Sequence, residues 1–136
     1  MTTVTSPAQT VADTKLLRFA LKQDAIGSGG NGVVYVAAAV IFGEMFGLPA
    51  GFLYPAGAFL VAYAAALLFL ASRPVVSRAA VGVVMGANVA WVAASVMVLV
   101  AGWFPLTGLG TALVIVQAVV VAGYTALQFA GLRRAV

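Results

Sequence analysis

Two long stretches of this sequence carry no formal charge. No Asp, Glu, Lys or Arg occurs from Met45 to Ser72, nor from Ala79 to Leu132. An uncharged apolar run beyond about 18 residues is long enough to span a membrane as a helix. The second stretch is too long for one helix and must hold two. Composition agrees: 64% of the residues are hydrophobic and 7% are charged, against roughly a quarter charged in soluble domains. Most of the surface is therefore built for a solvent other than water.

The pattern predicts an all-α polytopic membrane protein, a four-transmembrane-helix up-down bundle with short loops. The spans are expected at about 25–43, 51–71, 79–102 and 108–130, within a transmembrane domain covering 25–134. Residues 1–14 are small and polar and read as a disordered tail. Residues 15–24 read as a basic amphipathic segment, lying in the membrane interface or leading directly into the first span. Pro and Gly cluster at 46–51, 73–78 and 103–108, where turns require them.

Orientation follows from the cations. Lys15, Arg18 and Lys22 precede the first span, Arg73 and Arg78 occupy the middle loop, and Arg133 and Arg134 follow the last span. All seven then fall on one side, so the positive-inside rule puts both termini in the cytoplasm of a cell-membrane protein. Phe42, Phe46, Phe52, Tyr54, Trp103 and Phe104 are expected as an aromatic belt at the opposite interface.

Polar residues within the spans are few, and they recur at helical spacing. Asp24, Ser28, Asn31 and Tyr35 share one face of the first span, Asn88, Trp91 and Ser95 one face of the third, and Gln117, Tyr124 and Gln128 one face of the fourth. Lipid is a poor place for such stripes, so they are expected to converge on the bundle interior as a polar seam. The seam is either a set of interhelical hydrogen bonds or a ligand site, with Asp24, Ser28, Asn31, Asn88 and Gln128 in its inner half. Asp24 itself is expected at the interface beside its basic neighbours, and Glu44 at the opposite interface. Gly82, Gly86, Ala90 and Ala94 repeat every four residues, as helix-packing ridges do. Gly27, Gly29, Gly30 and Gly32 lower the helix propensity of the first span. They either let a neighbouring helix approach closely or open a local break facing an inner cavity.

Several classes of function are excluded or disfavoured. The chain has no Cys and no His, which removes thiol nucleophiles and the usual zinc and haem ligands. No cofactor, metal or catalytic residue is expected. The glycines of the first span lack the Lys-Ser/Thr ending and the preceding strand of a phosphate loop. The net charge of +4 is explained by topology, without the basic patch and stacking aromatics of a nucleic-acid binder.

The stretch from Leu16 to Ala25, followed by Gly27 to Gly32 and Tyr35, resembles the opening of uncharacterised small four-helix membrane proteins of actinobacteria. The closing Gln117 to Gly123 and Ala126 to Gln128 are similar in the same way. A looser similarity to DoxX-like four-helix proteins lies in span number only. Neither resemblance implies an activity. Small multidrug transporters share the length and span count. They rely on a membrane-embedded Glu in the first helix, where this chain has Ser28 and Asn31, so proton-coupled antiport is not implied. The leading expectation is a structural or accessory membrane subunit in contact with the lipid bilayer, as a homo-oligomer or part of a larger membrane complex. The alternative is a transporter or binder of a small, mostly apolar molecule that uses the inner polar seam.

Overall fold

A computed structural model of the protein describes residues 14–134. The expected tail lies outside the described residues up to position 13. Among the described residues there are five helices and no strand: α1 (Lys15–Ala37), α2 (Ala39–Phe46), α3 (Ala50–Ser72), α4 (Arg78–Ala101) and α5 (Gly108–Arg134). The helices α3, α4 and α5 are each long and apolar enough to cross a membrane, and α1 with α2 forms a fourth candidate, bent by 97°. Their outward faces are apolar, with Val100 79% and Val83 72% exposed. Such a surface marks a membrane protein.

The first helix differs from the sequence reading. Residues 15–24 lead straight on, as the second of the two expectations has it: α1 runs unbroken from Lys15 through all four glycines to Ala37. What was read as the end of the span turns away as α2. Neither Pro nor Gly sits at the break, and the amides of Ala38 and Phe42 keep their bonds to Val34 and Ala38. The bend seats Ala39 and Phe46 in a core with Tyr35, Leu48, Leu53 and Leu60, and that burial offsets the lost helical turn.

The glycines of α1 explain its path. Gly32 and Gly57 face each other across the α1–α3 seam, and a Cβ on either would stand 2.7 Å from the other's carbonyl oxygen. Gly27 lies directly under the Tyr124 ring of α5. Two close approaches of backbone thus hold α1 between α3 and α5, which is the packed alternative of the two readings. Gly30 meets open space, as do Gly82 and Gly86. The Gly82 and Gly86 ridge, expected to pack, therefore packs against nothing in this chain, and the exposed Ala90 and Ala94 border a cavity.

Neighbours around the bundle follow the order α3, α1, α5, α4. The remaining seam, α3 to α4, is closed by side chains such as Leu67, Val81 and Val84 near one end. That end bears all seven cations. Leu17 packs on Gly131 there. The Arg18 guanidinium donates to the carbonyls of Ala71 (2.7 Å), Arg73 (2.7 Å) and Pro74 (3.0 Å), and Arg78 donates to the Leu132 carbonyl at 3.1 Å. Both arginines satisfy orphan carbonyls at helix C-termini. At the opposite end Thr107 starts α5. Its Oγ1 accepts from the Gly110 amide at 2.9 Å and donates to the Met45 carbonyl at 2.7 Å, tying α2 to α5.

Candidate functional site

Asp24 is the centre of the structure's polar chemistry. Sequence spacing from Lys15 puts it roughly 14 Å along a helix of roughly 34 Å, and the bundle buries it completely. Asp24 joins the interior seam as expected, but it does not pair with a basic neighbour. Lys22, the nearest cation in sequence, is exposed, and Arg18 is engaged with backbone carbonyls. Three neutral donors serve the carboxylate instead. Ser28 donates to Oδ1 at 3.0 Å, while Asn88 at 2.8 Å and Gln128 at 2.7 Å both donate to Oδ2.

These groups come from α1, α4 and α5, and α3 adds a fourth. The Tyr63 hydroxyl donates to Asn88 Oδ1 at 2.8 Å, and the second Asn88 amide hydrogen goes to Gln128 Oε1 at 3.2 Å. Asn88 thus touches all three of its polar neighbours at once. Every helix of the bundle except α2 ends a hydrogen bond in this knot, and no buried polar side-chain atom among the described residues is left without a partner. Hydrogen bonds that join four helices at one point set the register of all four.

A second polar cluster joins α4 to α5 further from the cation end. Trp91 Nε1 donates to Gln117 Oε1 at 2.6 Å, and Gln117 Nε2 donates to Ser95 Oγ at 2.8 Å and to the Val114 carbonyl at 2.9 Å. Between the two clusters lies a cavity of about 620 Å³, lined by all four long helices. Its walls are mostly apolar, including Phe59, Leu60, Leu113, Val116 and Val120. Ser28, Asn88 and Tyr63 border it at the knot, and Trp91 and Gln117 at the far end. A smaller cavity of about 200 Å³ continues past Trp91 and Gln117 toward Tyr35, Phe52 and Phe104.

The predicted seam residues therefore fall into four places. Asp24, Ser28, Asn88 and Gln128 form the knot, and Trp91, Ser95 and Gln117 the second cluster. Asn31 and Tyr124 border the large cavity, Asn31 being exposed rather than bonded into the knot, and Tyr35 lies in the apolar core against α3. Tyr63 was missed by stripe reading. Its signal was present: it is the one polar side chain between Tyr54 and Ser72, and a phenol at mid-span needs a partner. The first helix does hold a carboxyl group buried in the bundle, Asp24.

No protein-family model, curated protein or solved structure matches this chain.

Proposed function

We propose that the protein is a multi-pass cell-membrane protein that binds a small, mostly apolar molecule in the cavity between α1, α3, α4 and α5. One observation carries this reading: a cavity of about 620 Å³ lies among four helices that are otherwise tied together by a satisfied polar knot. Ligand sites typically measure about 300–1,000 Å³, with apolar walls and a few convergent polar groups. The cavity is open to the outside of the bundle, with Phe59 53% and Val116 59% exposed, which gives an apolar molecule a way in from the bilayer.

In the same reading α1 and α2 together form the first of four spans, and both termini are cytoplasmic. The cations gathered at one end support that orientation. Transport and sensing both begin with the same binding step. Purification in a mild detergent followed by native mass spectrometry tests it. The expected result is a small molecule retained by the wild-type protein and lost from Ala94→Phe, which fills the cavity. Retention of stoichiometric protein subunits, with no small molecule in either sample, overturns it.

A second reading, an accessory subunit of a larger assembly or a homo-oligomer, draws on the α4 ridge. Gly82 and Gly86 leave a groove on its outer face in which a Cβ meets nothing. Small residues of this kind let a neighbouring helix approach closely. Replacing both by Leu separates the two readings: loss of a higher-order species with binding intact supports an assembly role beside the binding role.

A further inference from the structure

The polar end of the cavity has a direction, and the direction selects a ligand charge. Both amide hydrogens of Asn88 are committed to Asp24 and Gln128. Ser28 spends its one hydrogen on Asp24, and Tyr63 its own on Asn88. At the wall these groups therefore present lone pairs: Ser28 Oγ, Asn88 Oδ1 and the Tyr63 oxygen. Tyr124 and Asn31, also at the cavity, carry a hydroxyl and an amide that accept as well as donate. Behind this acceptor face, one hydrogen bond away, stands a carboxylate whose three bonding partners are all neutral. The residues lining the cavity include no Lys or Arg.

Resting on the cavity reading above, we infer that the ligand is a lipophilic cation: an amine with an apolar body, its ammonium seated on Ser28 and Asn88 in front of Asp24. An ammonium has three donors and no acceptor, the complement of this wall. The aromatic rings strengthen the match. Phe59 and Tyr63, which stack with centroids 5.8 Å apart at 17°, both line the cavity the cation enters, and aromatic rings attract cations. The apolar body lies toward Leu113 and Val120. An anion meets lone pairs and a carboxylate there, and a neutral alcohol gains only one donor's worth of contact. An ammonium seated there has a carboxyl group as its nearest acidic neighbour, and part of what it gains is lost to desolvation.

Three probes of one shape test the charge: phenylbutylamine, phenylbutanol and phenylbutyrate. Each is titrated at neutral pH into protein held in nanodiscs of zwitterionic lipid, so that the bilayer itself does not concentrate one charge. The readout is Trp91 emission in a Trp103→Phe background. That change leaves one indole, because the chain has two Trp and Trp103 is 57% exposed. The amine is expected to bind at least tenfold more tightly than the alcohol, with the butyrate weakest. In Asp24→Asn, checked for helix content and monodispersity, the amine and the alcohol are expected to bind alike. Should that variant not fold, the wild-type ratio decides alone. Equal affinity of amine and alcohol in the wild type, or binding of the butyrate as tight as the amine, overturns the cation inference and leaves the cavity reading standing. Failure of all three probes to move Trp91 emission overturns both.

Discussion

Asn88 is the residue on which the interior depends most. An average interhelical side-chain hydrogen bond in a membrane protein contributes about 0.6 kcal/mol, because the unfolded chain finds other partners in the bilayer. Asn88 departs from that average because it serves Asp24, Gln128 and Tyr63 together, at full burial. Removing it strands a carboxylate, an amide and a phenol in one step. Asn88→Leu is therefore expected to cost about 2–3 kcal/mol, with Asn31→Leu within about 0.5 kcal/mol. Denaturant unfolding in mixed micelles measures both, and equal costs would show that the knot does not hold the fold. The sequence made most of this cluster legible, because Asp24, Ser28, Asn88 and Gln128 lie on helical stripes that lipid rejects. The depth of Asp24 was hidden by its neighbours: three cations just upstream make a carboxylate look interfacial. Arg18 in fact ends on carbonyls at the C-terminus of α3, and Lys22 is exposed.

At the scale of the element, α1 shows why a low-propensity sequence stays helical. Each helical glycine costs roughly 0.8–1.0 kcal/mol relative to Ala, so four in six residues look like a break. Two of them are repaid by contact, Gly32 against Gly57 and Gly27 beneath Tyr124. The glycines should therefore part in sign. Gly32→Ala forces a Cβ to 2.7 Å from the Gly57 carbonyl and 2.9 Å from Val61, and is expected to destabilise by about 1–3 kcal/mol. Gly30→Ala meets nothing within 4 Å and is expected to stabilise by up to about 1 kcal/mol through helix propensity. Thermal unfolding of the pair decides this, and a shared sign would refute it. The long apolar spans were legible from charge alone; the 97° turn after α1 was not, since no breaker residue marks it and its cause is tertiary, the burial of Ala39 and Phe46. Arg18 works at the same scale. It clasps the end of α3, and Arg18→Ala is expected to open the 73–77 loop to proteolysis several-fold faster, at about 1 kcal/mol of stability given the partial exposure of its bonds.

For the whole molecule, the question is whether the bent pair α1 and α2 crosses the bilayer as the one span proposed above, and α5 supplies the ruler. Leu17 near the start of α1 packs on Gly131, and Phe46 at the end of α2 packs on Gly110. From Gly110 to Gly131 a straight helix rises roughly 32 Å, close to the roughly 30 Å of a hydrocarbon core. The pair α1 and α2 therefore travels as far as α5 does, and among the described residues the first helix begins at the level where the last one ends. With every cation at that level, the positive-inside rule predicts that it faces the cytoplasm. Glu44, exposed on α2, then faces the other side. Because the chain has no cysteine, single introduced cysteines report this without background. Glu44→Cys is expected to react with a membrane-impermeant maleimide in intact cells. Val75→Cys, at a residue 71% exposed in the α3–α4 loop, and Lys15→Cys are expected to react only after permeabilisation. Labelling of Val75→Cys in intact cells would reverse the orientation. Labelling of Lys15→Cys on the side opposite to Val75→Cys would mean that α1 and α2 do not form one span, and that the contacts of α1 with the end of α5 do not hold in the bilayer.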